Sequence, residues 1–208
     1  MLYNFCVLIK NRKCFFCGCL AFVIAILPIF ILIGHYGEAS WYEEELLYFC
    51  LYQLVVPMVS GTAFVVFFQG LVDEKGREIF FVQKKMYLGE ALLFLVAEEV
   101  VVIVSLMLSS IVSDVFEGGI VWVSIENIFL LGLLYLILFR TSSSVVAIGI
   151  LVIVLLLGCM NILPFFPILI VQSEDWTKML EQGLYMMGLS IIVWCLGGMA
   201  NLFYCNYD

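Results

Sequence analysis

The chain has 208 residues, 65% of them hydrophobic and only 12% charged, with a mean hydropathy of +1.17. That leaves too little polar surface to coat a particle in water, so a soluble domain is excluded and an all-α integral membrane protein is predicted. The net charge of −8 comes without the basic stripes of a nucleic-acid binder, so nucleic acid is not an expected partner.

In residues 1–13, Leu2, Phe5, Cys6 and Ile9 recur at helical spacing and Lys10, Arg12 and Lys13 follow. This reads as a short amphipathic helix lying on membrane lipid at the inner surface; the alternative is a frayed extension of the first span. The apolar run that follows, about 14–34, is longer than the 7–15 residues of a cleaved signal, so a retained helix is expected. Cys14, Cys17 and Cys19 open this run. A metal site would need a fourth ligand, and the only histidine, His35, lies at the run's far end, so these thiols read as packing residues.

A spanning helix needs about 20 mostly apolar residues. Five further segments approach that length, at about 46–69, 91–112, 120–139, 144–161 and 183–205, giving six spans in one membrane domain over residues 1–208. With the N-terminus in the cytoplasm, Lys10, Arg12, Lys13, Lys75, Arg77, Lys84, Lys85 and Arg140 all face inward and only Lys178 faces outward. Cytoplasmic loops collect Lys and Arg, so this bias supports both the orientation and the count of six. Trp41, Trp122 and Trp176 then fall at the outer boundary, where aromatic rings prefer to sit.

In the second span Gln53, Pro57, Ser60 and Gly61 share one helical face. Small and polar residues there mark helix packing or line a substrate path. Pro57 also frees a backbone carbonyl that a neighbour must satisfy. Between the fifth and sixth spans, residues 161–171 (NILPFFPILIV) are apolar, too short to cross, and interrupted by Pro164 and Pro167. A re-entrant element is expected, or else a greasy loop after a longer fifth helix. Gly188, Gly197, Gly198 and Ala200 in the last span permit close helix approach.

Charge concentrates in residues 73–85, DEKGREIFFVQKK, between the second and third spans. After Gly76, Ile79 and Val82 share a helical face flanked by Phe80 and Phe81. Glu74, Lys75, Arg77 and Glu78 precede that face, and Lys84 and Lys85 follow it. Acids first and bases last suit a helix dipole. A topology anchor would need the lysines alone; three acids among four bases, with an apolar face, suit a docking surface for a soluble partner.

Taken together, six spans, an amphipathic N-terminal helix, a charged inner helix between spans two and three and an apolar element between spans five and six resemble the permease subunit of type-2 ABC transporters. Glu74, Lys75, Gly76, Glu78 and Ile79 match that family's loop pattern, while Arg77 stands where a threonine is usual. The resemblance implies a pair of permeases, this chain with a second copy or a homologous one, carrying two cytosolic ATPases. It makes residues 74–81 with Lys84 and Lys85 the coupling helix. The chain has no G-x-x-x-x-G-K-S/T phosphate loop, so ATP and Mg would belong to the partner ATPase and this chain would bind no cofactor. Members of the family move lipids, polysaccharides, drugs and antimicrobial peptides.

Glu98 and Glu99 stand inside the third span. An intramembrane acid is costly and is a functional candidate by default. Adjacent helical residues point about 100° apart, so the two cannot share one groove equally. They could line a polar cavity that meets cationic substrate groups, pair with a neighbouring subunit, or lie near the headgroups beside Glu90 if the helix starts late. An intramembrane protease with a Glu-Glu pair would need an arginine four residues on, where Ile103 stands, and several histidines, so an enzyme is not expected. A self-contained secondary transporter or a bacteriocin-immunity factor is the remaining class, although no internal repeat of the kind transporters show is present.

Overall fold

A computed structural model of the chain describes residues 6, 9–10, 12–35, 41–72, 87–111, 115–159 and 176–206. The described residues outside a few short turns are all helical. The first helix is continuous but changes register: α1 (Lys13–Ala21) passes through a π-helical turn (Phe22–Ile26) into α2 (Leu27–His35). Then come α3 (Trp41–Val72), α4 (Leu88–Ser110), α5 (Val115–Thr141), α6 (Ser144–Cys159) and α7 (Trp176–Asn206).

Among the described residues, five stretches are long and apolar enough to cross a membrane: Lys13–Ile33, Tyr52–Val72, Leu88–Ser110, Gly119–Thr141 and Gly183–Leu202. The chain is a multi-pass membrane protein. The expected fifth span, α6, is shorter within the described residues. Its 16 residues reach about 24 Å, less than the roughly 30 Å hydrocarbon core. The expected re-entrant element at 161–171, the coupling helix within 73–85 and most of the N-terminal amphipathic helix lie outside the described residues. Of that last segment, Ile9 and Lys10 are helical, and Ile9 packs against the core. Arg12 (φ −130°, ψ 28°) breaks the helical path before α1 begins.

The surface is apolar where a soluble protein would be polar. Ile29, Phe30 and Ile33 on α2, Val96, Val100 and Met107 on α4, and Leu184, Ile191 and Ile192 on α7 all stand exposed. Inside, the described residues form two core clusters. One holds Leu27, Ile31, Tyr52, Val56, Val102, Leu106 and Val123. The larger is aromatic, built around Phe16, Phe64, Phe67, Phe68, Phe94, Tyr135 and Phe139. Its rings meet mostly edge to face, as Phe64 does with Phe94 at 5.4 Å, the geometry their quadrupoles favour.

Helices α5 and α7 pair most closely, and glycine is the reason. Trp194 on α7 lies over Gly132, where an added Cβ would stand 2.7 Å from the ring, and its indole N–H donates to the Ile128 carbonyl at 3.0 Å. One turn away, Tyr135 lies over Gly197, where a Cβ would stand 2.6 Å from Tyr135 Cδ1. The Tyr135 and Trp194 rings stack at 5.4 Å. On the other side of α5, Gly61 of α3 admits Leu134 and Leu151. Helices α5 and α6 are joined by Ser142 and Ser143. Ser142 takes φ 51° to reverse the chain, and the Ser143 hydroxyl accepts the Val146 N–H at the start of α6.

Gly197→Ala is expected to cost about 1–3 kcal/mol, because Tyr135 is wedged among other rings and cannot yield to the new methyl. Gly188→Ala, at an exposed glycine where the added Cβ would meet nothing within 4 Å beyond its own helix backbone, is expected to be neutral. Equilibrium unfolding in mixed micelles checks both; unchanged stability in Gly197→Ala would mean that α5 and α7 do not meet there.

Candidate functional site

Between the two apolar clusters lies a polar layer, contributed by α3, α4 and α5 at one level. On α4 the aromatic cluster ends at Phe94 and the aliphatic one begins at Val102; Glu98 and Glu99 lie between. On α3 Ser60 falls between Val56 and Ala63, and on α5 Glu126 and Asn127 fall between Val123 and Phe129.

The two adjacent glutamates part company, as their 100° offset requires. Glu98 turns to α3, where the Ser60 hydroxyl donates to its Oε1 at 2.6 Å. Glu99 turns to α5, where the Asn127 side-chain N–H donates to its Oε1 at 2.9 Å. Helix α4 starts at Leu88, three residues before the expected span, so Glu98 lies roughly 15 Å along the axis from that start. This corrects the reading in which a late start leaves both acids near the headgroups. Glu90, in the first turn of α4, is buried and well away from the pair.

The face predicted on α3 is buried throughout: Gln53, Pro57, Ser60 and Gly61 all point inward. Pro57 sits inside α3 without ending it. Of this set, Ser60 alone joins the glutamates among the described residues. Gln53 lies two turns away, buried, with its Oε1 lacking a hydrogen-bond partner. The predicted coupling residues Glu74, Lys75, Gly76, Arg77, Glu78, Ile79, Phe80, Phe81, Lys84 and Lys85 lie outside the described residues.

Several polar groups of the layer escaped the sequence reading. Asn127 is fully buried, and so in effect is Glu126, with 5% exposure and no hydrogen-bond partner for its Oε1. Their signal was present, two polar residues interrupting an apolar run. A second group sits farther along. The Leu27 N–H bonds the Phe22 carbonyl in π register, so the next residue, Pro28, would have to serve Val23 and has no N–H to give. The Ser105 hydroxyl of α4 donates to the Val23 carbonyl instead, and the Tyr52 hydroxyl of α3 donates to Ser105. Pro28 within an apolar run was the readable clue. Near the other end of α3, Arg12 donates to the Val66 carbonyl at 3.0 Å and to Gln69 Oε1 at 2.6 Å, a specific clasp where charge counting gave only a topology signal.

A cavity of about 230 Å³ opens beside Glu98, between α1, α3 and α4, walled by Phe16, Cys19, Ala63, Phe94 and Ala97 among others. Glu98 is the one acidic group in its wall among the described residues. Cys19 is half-buried there, while Cys14 and Cys17 point outward.

Hydrogen bonds between membrane helices average about 0.6 kcal/mol and reach about 1.7 kcal/mol. A double-mutant cycle of Glu99→Ala with Asn127→Ala is expected to return a coupling in that range in the folded membrane protein. Simple additivity of the two changes would show that the side chains do not meet. No protein family, curated protein or solved structure matches the chain.

Proposed function

We propose that the chain is the membrane-spanning permease subunit of an ATP-driven ABC exporter in the cell membrane. It pairs with a second copy or a homologous permease, and separate cytosolic ATPases supply ATP and Mg. The observation that carries this reading is the stretch DEKGREIFFVQKK, which joins the end of α3 to the start of α4. The base distribution puts that junction on the cytoplasmic side. Its acids, apolar face and bases suit a groove on a soluble partner better than a lipid surface, which would call for bases alone.

The bundle supports the reading in two further ways. Both helices that flank the stretch carry members of the polar layer, Ser60 on α3 and Glu98 and Glu99 on α4, so a force on the junction reaches buried polar groups through two rigid rods. The lower part of α3 is also clasped by Arg12, which lies where the amphipathic N-terminal segment turns into α1. The substrate is a small amphiphile, an antimicrobial peptide, a lipid or a drug. The intramembrane carboxyls of Glu98 and Glu99, half-buried, and of Glu126, buried, give a specific reason to keep a second reading, a self-contained proton-coupled transporter.

Recovered in mild detergent from its own host, the chain is expected to bring with it an ATPase bearing a phosphate loop. Glu78→Lys, and separately the pair Lys84→Glu with Lys85→Glu, should lower that recovery by roughly tenfold, a loss of about 1.4 kcal/mol, with membrane insertion unchanged. Undiminished recovery would move the docking surface elsewhere. Proton-driven uptake by the chain alone in liposomes would replace the ABC reading with the second one.

A further inference from the structure

The cavity beside Glu98 differs from an ordinary packing defect. Its wall is apolar on every side except one, and on that side stands a carboxyl. A buried water needs two to four polar partners, and this wall offers the carboxyl and a weakly polar thiol, so ordered water is a poor occupant. An anion would face the carboxylate's charge. A neutral molecule would leave an intramembrane carboxyl without a counter-charge, and such acids normally find one.

Helix gluing does not account for the residue either. Ser60 holds one oxygen of Glu98, and a glutamine could accept the same bond without bringing a charge into the membrane. Glu99 makes the contrast: it faces the α4–α5 seam, where Asn127 engages it, and it is not part of the cavity wall. Size narrows the occupant further. An apolar cavity of about 150 Å³ holds one benzene, and this one, at about 230 Å³, adds room for a short polar arm. Leu20 and Ala97, both exposed on the membrane-facing surface, belong to the wall, so the cavity is open to lateral entry from the lipid.

We propose that this cavity binds a small lipophilic cation, an aromatic or branched hydrocarbon body between Phe16 and Phe94 with its ammonium head against Glu98. As the substrate class of the proposed exporter, this rests on that reading; as a binding site it does not. The two are separated by testing the purified chain alone, without ATPase or nucleotide.

The probe is radiolabelled 2-phenylethylamine, equilibrated with the full chain in phosphatidylcholine nanodiscs, with empty nanodiscs subtracted. Saturable binding is expected, with Glu98→Gln weakening it by roughly tenfold or more while keeping the Ser60 bond. Ala97→Phe, which fills the cavity and leaves the carboxyl intact, should weaken it as much, and Glu99→Gln should not. The neutral 2-phenylethanol and the anionic 3-phenylpropionate should fail to compete. Should Glu98→Gln not fold, the Ala97→Phe variant and the competition series decide. Undiminished binding by Glu98→Gln, equal competition by the alcohol, or no saturable binding by the natural chain would each overturn the site. Loss of the site with ATPase recovery intact would leave the exporter reading standing.

Discussion

A single backbone carbonyl, that of Val23, sets much of the arrangement. In hydrocarbon an unmade hydrogen bond has no water to fall back on, so a carbonyl orphaned by Pro28 must find a donor within the protein. It finds Ser105, which is itself held by Tyr52. The first helix, α4 and α3 thereby meet at one buried point inside the aliphatic cluster. Each such bond contributes only about 0.6–1.7 kcal/mol. Its effect is on position more than on stability, because it forbids the first helix from sliding along α4. The cavity beside Glu98 lies about two turns of α4 away from that point, where the same two helices are spaced by Phe16, Cys19 and Ala97 without a polar tie.

The polar layer follows from the same constraint. Ser60, Glu98, Glu99 and Asn127 sit at one level because each needs another, and a helix shifted by one turn would strand them. They separate an aliphatic cluster from an aromatic one, so the two halves of the bundle can pack by different rules. The aromatic half is crowded, with Gly61, Gly132 and Gly197 giving up side chains to admit Leu151, Trp194 and Tyr135. Overpacking protects this half from rearrangement, since core side chains interlock and any shift costs several contacts at once. The cavity beside Glu98 lies at the edge of this same half, walled by its members Phe16, Ala63 and Phe94.

Much of this is legible in the sequence. Long apolar runs named the spanning helices, because a hydrocarbon surround demands about 20 such residues and tolerates few charges. The buried face of α3 followed from spacing alone, and so did the divergence of Glu98 and Glu99. Less legible were the partners. Nothing in the residues around Ser60 says that it meets Glu98, since helices 38 residues apart in sequence are brought together by the packing of the whole bundle. Asn127 and Ser105 were missed for a related reason: a lone amide or hydroxyl in an apolar run is cheap enough to pass as packing. The π-helical turn was missed because its cause, a proline, lies after it, and because register changes within a helix leave no mark on hydropathy. The start of α4 is less legible: the helix begins at Leu88, three residues before the expected span, with Glu90 buried in its first turn.

In the proposed exporter these features form a mechanical sequence. A push on residues 73–85 would act on the end of α3 and the start of α4 together. Helix α3 is restrained by Arg12 and by its glycine contact with α5 and α6, while α4 is held by the side-chain bonds Ser60–Glu98 and Asn127–Glu99. Its far end is tied through Ser105 to the first helix, which makes rotation about that point easier than translation. Rotation of α4 there moves Glu98 relative to Phe16 and Cys19 and changes the width of the cavity they share. The Ser60 bond then acts as the limit of travel, since carrying Glu98 away from α3 would leave its carboxyl without that donor in a medium that supplies no other. A site whose charged group is also the stop for the helix that carries it would link occupancy to movement, because a bound cation supplies a second partner for the carboxyl and lowers the cost of leaving Ser60.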